Sequence, residues 1–220
     1  MIEFRENLLP IVMKAAHYGN LRVLKALKED IIKKFPETGA SLVLELFLLN
    51  SETREGISWT PFQRSIHNQN GKVSRYLFYT LTSDTRILQA FHKLLLSDRV
   101  RFSEEVSQMP NMLERIIFPN LFRQKLSQIL KRKLLISPGK PGIRAFHLAI
   151  TKAKTPEIVK LFINWEINYN EPKNIESFFT YALDLAFLAK SLISLKVLRD
   201  HFSQYFNDSI YIIPLEAAIK

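Results

Sequence analysis

The chain has 220 residues, 47% hydrophobic and 24% charged, enough to bury a sizeable core and too apolar for extended disorder. With 6 Gly against 16 Phe it is short of the turn glycine that a β-sandwich or a Rossmann domain uses, so helix is favoured. It has no cysteine, which excludes disulfides, thiolate zinc sites and thiol nucleophiles, and 31 Lys and Arg against 21 Asp and Glu give a net charge of +10 that favours acidic partners.

The amino terminus lacks the basic start and apolar run of a secretory signal. No apolar run approaches the roughly 20 residues needed to span a bilayer. The longest runs, Leu42 to Leu49 and Ala182 to Ala189, each carry an acid. These features, with the absence of cysteine, lead us to expect a soluble protein of a reducing compartment, cytoplasmic in location.

Taken in chain order, Ala15 to Leu27 reads as the end of one helix, a turn and a second helix. Gly19 can take the positive φ that ends the first, and Leu24, Leu27 and Ile31 recur at helical spacing in the second. Ser41 to Asn50 is expected to be an additional helix. At Thr60-Pro61 a hydroxyl stands at a helix cap and a proline at the first helical position, where its missing N–H costs nothing. Val73 to Phe78 is expected to be the helix after it. Arg86 to Leu96 carries an apolar stripe of Ile87, Leu88, Phe91, Leu94 and Leu95, and Asn111 to Leu135 reads as a long helical stretch interrupted at Pro119. Gly139 and Gly142 flank Lys140-Pro141 in a short loop tip, where proline removes N–H donors that a phosphate cradle would need. Ile158, Leu161 and Phe162 again fall at helical spacing.

The segment Ala145-Phe-His-Leu-Ala-Ile150, then Thr155-Pro-Glu-Ile-Val-Lys-Leu-Phe-Ile163, then Asn168-Tyr-Asn170 resembles an ankyrin repeat, matching both helices and the loop of one unit. Ala15 to Leu27 is similar to a second copy, and Gly56 to Phe62 with Val73 to Phe78 to a third. Leu183 to Ala186 with Leu195 to Leu198 gives a further pair, and Ile213 to Ala218 opens one more that lacks its partner helix. On this resemblance the small residues Ala15, Ser65, Ala149, Ala186 and Ala218 let neighbouring inner helices approach closely, and stacking supplies the core that no unit builds alone. Their spacings depart from the family's repeat of about 33 residues, most of all between Ala15 and Ala149. Three local departures accompany this. The turn after Ile150 is long and lacks Gly, Glu166 stands where a helix-ending Gly is usual, and Tyr181-Ala182 replaces the Thr-Pro pair before Leu183. The expectation is an all-α, ankyrin-like helical solenoid of irregular repeats. Residues 1–80 would hold the N-terminal repeats, 81–138 an eroded repeat or inserted helices, and 139–220 the C-terminal repeats with the last unit incomplete.

Catalytic patterns are missing. No P-loop, dinucleotide fingerprint, nucleophile elbow or zincin motif occurs, and His17, His67, His92, His147 and His201 do not pair at metal-ligand spacing. His147 falls on the family's own histidine, whose implied role is to bond neighbouring loops. The adjacent carboxylates Glu29-Asp30 and Glu104-Glu105 point in different directions on a helix and make no dyad. Arg123, Lys125, Lys131, Arg132, Lys133, Lys140 and Arg144 form a basic cluster, readable as an anionic docking surface or as solvated helix ends.

The expected function is therefore that of a non-catalytic module without metal or cofactor, which binds a protein partner through the concave face that the resemblance implies. The contact residues on that face would be His17, Tyr18, Trp59, Gln69, Thr151 and Lys152. Lys- and Ile-rich divergent members resemble effectors that intracellular bacteria deliver to the host cytosol. Two alternatives stand beside it: a basic adaptor for anionic lipid or nucleic acid, and the targeting region of a longer enzyme.

Overall fold

A computed structural model describes residues 2–54, 57–98, 101–109, 119–136, 145–169 and 172–205. Its contacts divide the chain into two compact units, Met1–Ala145 and Phe146–Lys220. Among the described residues the secondary structure is helical apart from one two-stranded antiparallel hairpin.

The first unit opens with α1 (Ile2–His17) and α2 (Leu21–Lys34). Next comes α3 (Gly39–Leu44), which continues into a π-helical turn over Glu45–Leu49 closed by the Asn50 N–H on the Glu45 carbonyl at 2.7 Å. The hairpin β1 (Glu52–Arg54) and β2 (Ile57–Trp59) pairs Glu52 with Trp59 and Arg54 with Ile57. Helix α4 (Pro61–His67) starts on a capping box: Gln63 N–H donates to Thr60 Oγ1 at 3.2 Å, and Thr60 N–H to Gln63 Oε1 at 3.0 Å. Helix α5 (Gly71–Arg75) winds into a π turn over Tyr76–Thr80 and a 3₁₀ turn over Leu81–Ser83. The unit closes with α6 (Thr85–Ser97), α7 (Ser103–Ser107) and α8 (Pro119–Ile136). Expected helices are found at Ser41 to Asn50 and Arg86 to Leu96, and Ile87, Leu88, Phe91 and Leu95 of the apolar stripe are buried.

Packing follows the apolar faces. Helix α1 lies against α4, α2 against α3, α3 against α6, and α6 against α8. The small residues do what their size allows: Ala15, Ala16 and Ser65 are buried, and Ser65 Oγ bonds Ser74 Oγ at 2.8 Å across the α4–α5 turn. An ion pair ties α2 to the start of α6, where Lys28 donates to Asp84 Oδ2 at 2.7 Å. Asp84 also caps α6 by accepting from Arg86 and Ile87 N–H at 3.0 and 3.4 Å. Burial drives the Asp84 carboxyl upward, but the Lys28 hydrogen bond, the Lys28 charge and the two backbone donors together hold it below its usual value. Burial, with the charges of Glu29 and Asp84, pushes the Tyr76 phenol up to about 12.

The second unit holds α9 (Ala145–Thr151), α10 (Pro156–Tyr169), α11 (Pro172–Leu188) and α12 (Leu192–Tyr205). Ile150, Val159, Ile163, Phe179, Ala182, Ala186 and Leu198 build its core. Two boundaries differ from the sequence expectation. Helix α10 runs through Glu166 to Tyr169, and α11 begins at Pro172 instead of near Tyr181, because a proline at the first helical position starts a helix without loss. The expected opening helix at Ile213 to Ala218 lies outside the described residues.

One turn recurs three times, between α1 and α2, α4 and α5, and α11 and α12. In each, a residue in the left-handed region ends the first helix: Gly19 at φ +71°, Gln69 at +60° and Lys190 at +53°. The next residue's N–H reaches back to a small residue of the first helix, Asn20 to Ala15 at 2.8 Å, Asn70 to Ser65 at 2.8 Å and Ser191 to Ala186 at 2.9 Å. This is the Schellman closure, which satisfies carbonyls that a helix end would otherwise leave open.

Candidate interaction surface

The turns of the first unit bring several expected contact residues together. His17 and Tyr18 end α1, and Asn68 and Gln69 end α4. The Asn68 amide donates to His17 Nδ1 at 3.1 Å and to the Arg64 carbonyl at 2.9 Å. Because an amide nitrogen only donates, Nδ1 accepts and the neutral imidazole carries its proton on Nε2. Asn70 extends from the second turn to the first, its amide donating to the carbonyls of Ala16 and His17 at 2.8 and 2.7 Å. The two turns are thus one hydrogen-bonded platform. Tyr18 stands on it 77% exposed, with its ring edge-on to His17 at 4.6 Å. Gln69 turns back on its own helix, its amide donating to the Ile66 carbonyl at 2.9 Å.

Trp59, read from the sequence as an exposed contact, is buried at 8% exposure. The Arg64 guanidinium lies over its ring at 4.7 Å, and the His67 ring meets it edge-on at 5.0 Å. Strand β2 delivers the indole onto α4, where these two side chains cover it. The sequence reading does not assign Arg64, His67, Asn68 or Asn70 to this surface. Aligning Gly19-Asn20 with Gln69-Asn70 places His67 opposite His17, a signal the sequence does contain.

In the second unit the Phe146 ring stacks on Tyr181 at 6.2 Å, and His147 Nε2 is hydrogen-bonded to the Tyr181 hydroxyl. His147 thus bonds a side chain of α11, where the resemblance implied a bond to a neighbouring loop. Thr151 Oγ1 donates to the His147 carbonyl at 2.7 Å, so its hydroxyl serves its own helix, while Lys152 is exposed. Ser194 Oγ of α12 reaches the Ile150 carbonyl of α9 at 2.7 Å.

The basic cluster is not a continuous free surface. Lys131 is 6% exposed, with its ammonium 5.9 Å from the Phe78 ring centroid and 5.2 Å from that of Tyr79, and burial depresses its pKa. Lys133 is bonded to Glu105 at 2.6 Å and lies over the Phe102 ring at 5.0 Å. Arg132 donates to Gln108 at 3.3 Å. The pairing of Lys133 and the burial of Lys131 follow from α8 packing against the rest of the unit, which leaves Arg123 and Arg132 at the surface. Lys140 and Arg144 lie outside the described residues.

Among the described residues no group of three or more His, Cys, Asp or Glu is placed to hold a metal ion, and no helix is long and apolar enough to cross a membrane. Comparison with protein-family models, with curated proteins and with solved structures finds no match to this chain.

Proposed function

We propose that the chain is a non-catalytic, ankyrin-like stack that binds a protein partner, with the paired turns of the first unit as the contact face. The observation that carries this reading is Tyr18, a large aromatic 77% exposed on a platform fixed by His17, Asn68 and Asn70. An aromatic presented on rigid backbone gives contact area at low entropic cost, and Tyr, Trp and Arg dominate binding hot spots. Arg64, held over Trp59 on the helix that ends at Asn68, supplies a positioned cation. The recurring turn at Gly19, Gln69 and Lys190, with a small residue four positions before each, supports the stacked-repeat part of the reading.

The test is affinity capture with wild type and a Tyr18→Ala variant, read alongside melting temperature. Selective loss of partners at unchanged stability is the expected result. Identical partner sets would remove this face from the proposal.

A further inference from the structure

Helices α6 and α8 line a pocket of about 170 Å³ that is open to solvent. From α6 it takes Thr85, Leu88, Gln89 and His92, and from α8 Pro119, Phe122, Arg123 and Leu126. Each set is spaced i, i+3, i+4, i+7, so one face of each helix lines the space. The helices run antiparallel across it, since Ser83 Oγ lies 3.5 Å from Ser127 Oγ while the His92 ring meets Phe122 edge-on at 5.2 Å. Leu88, His92, Phe122 and Leu126 are each under 10% exposed and form the floor, whereas Thr85, Gln89 and Arg123 are exposed at the rim.

Size and charge narrow what fits. A dry apolar cavity of roughly 150 Å³ holds a benzene ring, so this space suits one ring or a short branched chain. No acid is among its described lining residues, and Arg123 is the charged group at its rim. A floor apolar apart from His92, under a cationic rim, describes an amphipathic anion. Guanidinium pairs with carboxylate in a two-pronged geometry, and Gln89 adds an amide donor beside it.

We infer that this cavity is a binding site for a small apolar monocarboxylate, its hydrocarbon on Leu88, Phe122 and Leu126 and its carboxylate on Arg123. The site is built from α6 and α8 and does not depend on the turn face proposed above.

Benzoate is the probe, with benzamide as its neutral match, titrated into the isotope-labelled full chain and followed by amide chemical shifts. Saturable shifts confined to Thr85–His92 and Pro119–Leu126 are expected, with benzamide weaker by about tenfold. Arg123→Gln should bring benzoate down to the benzamide level at unchanged melting temperature. Gln89→Trp, which covers the mouth from an exposed position, should weaken both ligands. An acetylated Gly-Gly-Phe peptide with a free carboxyl terminus, compared with its amide, separates a polypeptide end from a free acid as the source. Equal binding of benzoate and benzamide to wild type and Arg123→Gln, or no saturable shift with benzoate or either peptide, would overturn the assignment.

Discussion

Replacing Gly19 by alanine tests the turn on which the proposed face stands. Two penalties arise. The backbone at φ +71° is left-handed, which costs a residue with a Cβ about 1–2 kcal/mol. The new Cβ would also lie 2.7 Å from Asn70 Oδ1 and 3.0 Å from its Cγ, closer than real contacts allow. The Asn70 amide must then move, weakening its bonds to the Ala16 and His17 carbonyls, each of which contributes about 1 kcal/mol. A stiffer unfolded chain returns up to about 1 kcal/mol. The net loss is about 2–3 kcal/mol. With an m-value of about 2 kcal/mol/M, the urea midpoint of the first unit falls by about 1 M. A Trp165→Phe background leaves Trp59 as the sole indole, so fluorescence follows the first unit. Asn70→Ala removes the obstacle, so Gly19→Ala should cost less in that background. Strict additivity in the double-mutant cycle, or a single-variant loss below about 0.5 kcal/mol, would refute the reasoning.

Other predictions are briefer. Lys190→Gly relieves a left-handed lysine and should leave the second unit unchanged or stabilise it by up to about 1 kcal/mol, seen in urea denaturation by circular dichroism. Ser194→Ala strands the buried Ile150 carbonyl and should cost about 1–3 kcal/mol in the same assay. Asp84 has a folded pKa below its ordinary 3.8, so its contribution is complete above about pH 5 and is lost as pH falls through the folded value. Stability measured from pH 6 to pH 2 should therefore fall less steeply in Asp84→Asn than in wild type, from a starting point about 1–3 kcal/mol lower. Burial lowers the Lys131 pKa, so folding places its ammonium in a less favourable environment than water. Lys131→Met should keep or raise stability by up to about 1 kcal/mol, and a loss above 2 kcal/mol would show that the aromatic contacts outweigh desolvation.

Much of the helical layout was legible because it rests on local chemistry. Gly19, the Thr60-Pro61 cap and the Arg86 to Leu96 stripe act within one or two turns of helix. The remainder depends on neighbours. Gln69 and Lys190 adopt the same left-handed backbone as Gly19 with side chains that give no hint of it. The π turns at Glu45–Leu49 and Tyr76–Thr80 leave no mark in a 3.6-residue pattern. Asn20 and Asn70 follow equivalent turns, yet Asn20 accepts from Val23 N–H in its own helix while Asn70 spans to the preceding turn. Trp59 passed for a surface residue because nothing local announces that Arg64 and His67 close over it. The cavity between α6 and α8 was hidden for the same reason, since its two walls are far apart in sequence.

The Asn70 bridge has a consequence for how the first unit opens. If the α1–α2 hairpin swings away, both carbonyls at the end of α1 lose their shared donor and the Asn68–His17 bond breaks as well. Fraying from the amino-terminal side is thus penalised by groups that belong to α4 and the turn after it, and the amides of both helix pairs should exchange with solvent together. A partner gripping Tyr18 would then be pulling on four helices at once, so a load applied at one residue is shared before any single turn gives way.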